Sequence, residues 1–121
     1  MDKMARAAQA LSDETRLRIL NVLTVKECCV CEVMQALGIS QTRASRNLKI
    51  LNDAGFLKMR TDGLFTLYSI PDGKSSSFNS ALVDLVRKEL ATDKQARQDT
   101  ARLMKAQRVG PGCCTPGRKS A

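Results

Sequence analysis

Cysteine is the residue type in this chain that points most clearly to chemistry. Five cysteines and no histidine occur in 121 residues, clustered as Cys28, Cys29 and Cys31 and then as Cys113 and Cys114. Cysteines buried for structural reasons would be scattered, and an odd number cannot pair completely within one chain. Thiolates are soft ligands that select soft ions. The two clusters therefore predict a site for a thiol-seeking ion.

The same cysteines would have a different role in a disulfide-stabilised protein, a redox switch, an enzyme or an architectural DNA-binding protein. Cytosolic thiols stay reduced, so a disulfide framework is not expected. A reversible disulfide, between Cys29 and Cys31 or between the two clusters, would instead make a redox switch. Cys113 to Arg118 is one residue short of the Cys-x5-Arg phosphate loop, with no strand before it, no helix after it and no histidine base. An enzyme is therefore not expected, and a constitutive architectural DNA-binding protein with incidental cysteines is a further alternative.

The charge of the chain favours a polyanionic partner. Twenty Lys and Arg residues against twelve Asp and Glu give a net charge of +8, and neutralising phosphates releases counterions. Three Phe and one Tyr are the only aromatic residues, which argues against modules that stack single-stranded bases. No stretch approaches the ~20 apolar residues of a membrane span, and the first residues do not form a signal peptide. A cytoplasmic protein that binds double-stranded DNA is expected.

The spacing of apolar residues predicts four helices at the start of the chain. The first lies around residues 4–11, and Ser12 is expected to cap the second. The third covers residues 30–37 and ends at Gly38, and Ser40 caps the fourth, which runs from 41 to 54. The short turn between the third and fourth helices predicts a helix-turn-helix.

The pattern changes to that of a β-hairpin after the fourth helix. Strands are expected at 56–60 and 64–70 around an Asp-Gly turn, followed by one long last helix from Phe78 to about Gln107. The predicted fold class is mainly α with a small β-hairpin, a winged helix-turn-helix that forms a homodimer. Residues 1–92 would form the DNA-binding and dimerisation domain, 93–108 the polar end of the C-terminal helix, and 109–121 a flexible cysteine-containing tail.

The fourth helix has the composition of a DNA recognition helix. Ala44, Leu48 and Leu51 form its inward stripe. The side chains suited to base edges and phosphates are Gln41, Thr42, Arg43, Ser45, Arg46 and Lys49, and Arg60 on the wing is a further phosphate contact. The first turn has no acid, which suits a helix N-terminus that receives a phosphate. Apolar faces on the first and last helices predict a dimer with two recognition helices one DNA turn apart.

In their order along the chain these motifs resemble the ArsR/SmtB family of metal-responsive repressors. Residues 11–20, Leu-Ser-Asp-Glu-Thr-Arg-Leu-Arg-Ile-Leu, look like the family's second-helix motif. Residues 27–33, Glu-Cys-Cys-Val-Cys-Glu-Val, match the cysteine box of its arsenical and soft-metal sensors, and residues 40–51 are similar to its recognition helix. The resemblance covers about residues 5 to 90 and implies a repressor that leaves its operator when cysteines bind trivalent arsenic, which derepresses a resistance operon.

Three positions depart from the family pattern. Met34 stands where well-known arsenite sensors have a third cysteine, and Asn47 stands where the recognition helix often has histidine. Cys28 occupies a position usually filled by leucine, which favours a core residue over a ligand. The zinc site that the family builds on its last helix uses histidine, so it is not expected here.

The resemblance implies Cys29 and Cys31 as arsenic ligands and leaves the third ligand open. Arsenite or antimonite would take a third thiolate from Cys113, Cys114 or Cys28, whereas a methylated arsenical needs only two. The adjacent Cys113 and Cys114 could also bind such a species alone. In an ideal helix Cys29 and Cys31 point about 160° apart. We therefore expect that both thiols bind one ion only if the start of the third helix is frayed or unwound, and that binding distorts this turn and displaces the recognition helix.

Overall fold

The computed structural model describes residues 1–71 and 77–109, and within them the chain forms helices around one short hairpin. The elements are α1 (Asp2–Ala10), α2 (Glu14–Val25), α3 (Val30–Leu37), α4 (Gln41–Asp53), β1 (Lys58–Asp62), β2 (Phe65–Ser69), α5 (Phe78–Leu90) and α6 (Lys94–Lys105). The predicted class, mainly α with a β-hairpin, is confirmed. Across these described residues, no helix combines the length and apolar character needed to cross a membrane.

The helix-turn-helix forms where the turn residues predict it. Gly38 ends α3 in the left-handed conformation with φ of 70°, which glycine adopts without steric cost. The Ser40 side chain accepts a hydrogen bond from the Arg43 backbone N–H and caps α4. The expected cap of α2 is wrong by one residue. Asp13 accepts the Arg16 N–H, whereas the Ser12 hydroxyl donates to the carbonyl of Gln9.

The wing is a two-stranded antiparallel hairpin in which Asp62 pairs with Phe65. The two residues between them form the turn, and Gly63 takes a positive φ of 64° there, as tight hairpin turns require. The first strand begins two residues later than predicted, and the second begins one residue later than predicted. Cys28, which precedes α3, also pairs with Tyr68 of β2 through an isolated antiparallel bridge.

The core surrounds α2 and the inner face of α4. Ile19, Leu20, Leu48 and Leu51 are fully buried, and Ala44 is buried with them, so the predicted inward stripe of α4 is confirmed. This packing anchors the recognition helix through its apolar face and leaves its polar face toward solvent.

The last predicted helix is wrong in one respect, since the structure has two helices in its place. Asp93 breaks the run, because its side chain accepts the Ala96 N–H at 2.9 Å and starts a new helix there. α6 then packs on α2 and α3, with Leu103 buried. Its Asp99 is fully buried and accepts two bonds of 2.9 Å from Arg18. Residues 93–108 are therefore not the polar continuation of α5.

Apolar side chains of α1 and α5 remain on the surface of the single chain. Met4, Phe78 and Leu85 are exposed, although all three are large and hydrophobic. The exposed face agrees with the sequence-based expectation that these two helices pack against a second subunit.

Candidate thiol site and nucleic-acid interface

The sulfur atoms of Cys29 and Cys31 lie 2.9 Å apart. Cys29 is the N-cap of α3 and has extended backbone geometry, with φ of −89° and ψ of 171°. The cap residue lies outside the helix, so the 100° spacing of helical residues does not apply to it. The two thiols therefore converge without unwinding of α3, because Cys29 already lies outside the helical geometry at the start of the helix.

The thiol pair has its own apolar surroundings, separate from the main core. Cys29 and Cys31 pack with Leu67 and the partly buried Phe65, both on β2. Cys28 instead belongs to the main core with the apolar residues of α2 and α4. The sequence-based interpretation of Cys28 as a core residue agrees with this placement.

Burial also makes Cys28 a poor thiolate. Its removal from water raises the pKa of Cys28 to about 12, and the nearby carboxylate of Glu32 acts in the same direction. Its sulfur donates to the backbone carbonyl of Lys26 at 3.3 Å. A ligand thiol must lose its proton, so Cys28 is unsuited to serve as the third ligand in this conformation.

A buried carboxylate stands beside the thiol pair. Glu32 accepts the Cys29 N–H at 2.9 Å, Arg108 Nε at 3.0 Å and Lys26 Nζ at 2.9 Å. Burial alone raises the pKa of Glu32, but these three hydrogen bonds outweigh it, so the pKa lies below its ordinary value. The ionised Glu32 fixes the backbone of Cys29 and ties residues on both sides of the site together.

The segment after α6 returns to the thiol site. The carbonyl of Gln107 lies 3.7 Å from the Cys31 sulfur and accepts a 2.7 Å bond from Gln35, whose own side chain accepts the Gln107 N–H. The next residue, Arg108, reaches Glu32. Cys113 and Cys114, predicted as ligands, lie outside the described residues. In the described part, no three Cys, Asp or Glu side chains gather to hold a metal ion.

The recognition helix presents the predicted residues to solvent. Thr42, Arg43, Ser45, Arg46 and Lys49 are exposed, and Gln41 is half-buried. The first turn of α4 contains no acidic residue. Lys49 forms an exposed ion pair with Asp53 one turn later, which is weak enough for a phosphate to replace. The face is polar and cationic, as a major-groove surface must be.

Hydrogen bonds between α2 and α4 orient this helix. Arg43 donates to the Thr15 hydroxyl at 2.9 Å, and Arg16 donates both to the Asn47 side chain and to the carbonyl of Ala10 at the end of α1. Asn47, the departure from the family's histidine, is buried. It therefore positions α4 rather than facing outward with the predicted DNA contacts.

Arg60 is on the wing as predicted, but it already has an ionic partner. Its guanidinium donates two 2.8 Å bonds to the carboxylate of Glu27. This pairing lowers the pKa of Glu27 and raises that of Arg60. Arg60 thus joins the wing to the residue before the cysteine cluster, and its phosphate contact stays a prediction.

Sequence reasoning missed the carboxylate and the cation beside the thiols. Glu32 follows the N-cap Cys29 by three residues, which is the spacing of a capping box, so that signal was present. Arg108 is 76 residues from Glu32, and nothing in the sequence links the two.

Comparisons with known proteins agree with this fold. Residues 13–58 match the family model for bacterial regulatory proteins of the arsR family. A probable mercury resistance operon repressor of Streptomyces lividans is 38% identical over 81% of this chain and 74% of that protein. An arsenical resistance operon repressor of Escherichia coli is 41% identical over 50% of this chain and 52% of that protein. The chain spans only about half to three fifths of the length of several such relatives.

A solved structure with the same architecture is the homodimeric winged helix-turn-helix DNA-binding domain of a possible ArsR-family regulator from Mycobacterium bovis. It is 30% identical, with a TM-score of 0.64 over 77% of this chain and 82% of that one. The fold is that of a winged helix-turn-helix DNA-binding domain. The chain belongs to the ArsR family of bacterial regulatory proteins, which are transcriptional regulators and not enzymes.

Proposed function

We propose that this protein is a homodimeric repressor that releases its operator DNA when Cys29 and Cys31 bind trivalent arsenic. The 2.9 Å separation of their sulfur atoms carries this proposal. Two sulfurs that each bond one ion at ~2.3 Å, the length of a zinc–sulfur bond, would lie roughly 3.3 Å apart at a right angle. The pair therefore needs only a small opening to bind one soft atom, and no unwinding of α3.

The binding reaction is an exchange of ligands without oxidation. Each As–OH group leaves as water with the proton of one thiol, and an As–S bond forms in its place. A methyl- or phenyl-substituted arsenical has two exchangeable groups, which matches the two thiols of this site. Arsenite and antimonite have three, so they require a third thiol.

The third thiol is best supplied by the cysteine cluster at the end of the chain. The Gln107 carbonyl lies beside Cys31, and Cys113 follows six residues later in the sequence. Six residues span at most ~20 Å when extended, so Cys113 and Cys114 can both return to the pair. Cys28 is the weaker candidate because its pKa is raised to about 12.

The DNA-binding part of the proposal rests on α4, the wing and a second subunit. The half-buried Gln41 and the exposed Thr42, Arg43, Ser45, Arg46 and Lys49 would enter the major groove, and Arg60 would contact a phosphate. The apolar faces of α1 and α5 would form a two-fold interface. Similarity to the homodimeric domain from Mycobacterium bovis supports that interface.

Operator release measured by fluorescence anisotropy tests the proposal. The labelled duplex is the DNA directly upstream of the gene for this chain, with a shuffled duplex as control, under reducing conditions. We expect arsenite, antimonite and phenylarsenite to release it. Cys29→Ser and Cys31→Ser should abolish release, and Cys28→Ser is the matched control that keeps it. The Cys113→Ser/Cys114→Ser double variant should lose the response to arsenite but keep the response to phenylarsenite. Stable DNA binding with no release by any of these species would contradict the proposal.

A second candidate function is a redox switch, which the same short sulfur contact favours. Peroxide would oxidise Cys29 and Cys31 to a disulfide, with two electrons and two protons passing to the oxidant. Counting thiols before and after mild peroxide, together with operator release, distinguishes the two functions. Release by peroxide and not by arsenicals would replace the first proposal with this one.

A further inference from the structure

The thiol pair lies against the wing. Leu67 is fully buried against Cys29 and Cys31, and Phe65 packs on the same cluster. Leu67 and Phe65 are two residues apart on β2, so they share one face of the hairpin. The wing is therefore one of the surfaces that an atom bound between the sulfurs would contact.

The chain leading into the thiol pair is bonded to the wing as well. The Cys28 N–H donates to the Tyr68 carbonyl at 3.0 Å, and the Tyr68 N–H donates back at 2.8 Å. Cys28 is the residue before Cys29, so a shift of the thiol backbone is passed on to β2 through two hydrogen bonds.

The third connection is ionic and reaches the predicted DNA contact on the wing. Arg60 is directly opposite Leu67 in the hairpin register, and residues opposite each other in an antiparallel pair lie on the same face. From there it forms both 2.8 Å bonds to Glu27. Movement of Leu67 would therefore carry Arg60 with it.

The recognition helix is less directly placed to respond. It follows the opposite end of α3, and an eight-residue helix is ~12 Å long. It is also held to α2 by two hydrogen bonds, one from Arg43 of α4 to Thr15 and one from Arg16 of α2 to Asn47.

We propose that the wing transmits the inducer signal to DNA. The bound arsenical displaces the surface formed by Leu67 and Phe65. The Glu27–Arg60 pair links that movement to the phosphate contact. This inference rests on the proposed function. Bound arsenic widens the sulfur pair, and its third substituent occupies space that Leu67 and Phe65 now fill. A packed core accepts added volume only by moving its parts. The hairpin moves, and Arg60 is withdrawn from its phosphate.

Hydrogen exchange with and without phenylarsenite, followed by mass spectrometry, tests the route in the intact chain. We expect altered exchange in residues 58–69 and little change in residues 41–53. Changes confined to residues 41–53 would overturn the proposal. If phenylarsenite neither binds nor releases the DNA, the proposed function fails. If it does both while exchange in the wing is unchanged, only the wing route fails.

The role of the Glu27–Arg60 ion pair is tested by the coupling between operator DNA and phenylarsenite. This coupling is measured as the phenylarsenite Kd with operator divided by the Kd without operator. Allosteric couplings are typically on the order of 10-fold or more. We expect Glu27→Gln to reduce this ratio to about threefold or less, while the Kd without DNA stays unchanged. Asp84→Asn, which removes the exposed Asp84–Arg87 pair on α5, is the matched control and should keep the full ratio. An undiminished ratio in Glu27→Gln would overturn the role of the pair.

Discussion

Replacing Glu32 with glutamine removes the negative charge beside the thiol site and preserves the size of the side chain. The carboxylate is only 2% exposed, whereas the side chains of its partners Lys26 and Arg108 are 40% and 31% exposed. Loss of one partner of a fully buried pair costs about 3–5 kcal/mol. Here the two cations can turn to water, so we expect Glu32→Gln to lower the free energy of unfolding by about 2 kcal/mol at neutral pH. For a domain of this size that corresponds to a fall in Tm of roughly 10 °C.

The effect must also depend on pH in a defined direction. The pKa of Glu32 is lowered in the folded protein, so its stabilisation is complete above the ordinary glutamate pKa of about 4.3 and is lost as the pH falls through the folded value. Circular dichroism melts at pH 7 and at about pH 3 measure this. The Tm gap between wild type and Glu32→Gln should be smaller at about pH 3 than at pH 7, while the exposed-site control Glu89→Gln should show no gap at either pH. Equal Tm values at pH 7, or a gap as large at pH 3 as at pH 7, would refute the reasoning.

Three further predictions concern single residues. Because burial raises the pKa of Cys28 to about 12, iodoacetamide at pH 8 should leave Cys28 unmodified in the folded protein and label it after unfolding, as peptide mass spectrometry would show. Gly38→Ala should cost about 1 kcal/mol in urea unfolding, because Gly38 has a positive φ although the space around it is open; an unchanged midpoint would contradict this. Asp99→Asn should lower the free energy of unfolding by about 3 kcal/mol in the same urea measurement, because it leaves Arg18 and Arg102 without their buried negative partner. A cost below about 1 kcal/mol would be inconsistent with this ion cluster.

The helix-turn-helix could be predicted because its determinants are local. Gly38 needs a positive φ, Ser40 caps the next helix, and Leu48 and Leu51 repeat at helical spacing. Each of these signals depends only on residues that are close together in the sequence. The single last helix was predicted wrongly because Asp93 was taken as one more polar position, whereas its side chain caps a new helix.

The thiol geometry could not be obtained from spacing alone. The predicted helix start at residue 30 agrees with the structure, but applying helical spacing to Cys29 separates the two sulfurs, whereas its extended cap geometry brings them to 2.9 Å. The contacts that complete the site join residues far apart in sequence, such as Glu32 with Arg108 and Glu27 with Arg60. They depend on how α6 and the wing pack on α3.

The most direct test of the account is the affinity for phenylarsenite measured with and without saturating operator DNA. A ligand that releases DNA must bind the DNA-bound form more weakly, by the same factor by which it weakens DNA binding. We predict that operator raises the phenylarsenite Kd of the wild-type protein by that factor. Equal affinities for phenylarsenite in the free and DNA-bound protein would contradict the claim that the Cys29–Cys31 pair controls DNA binding.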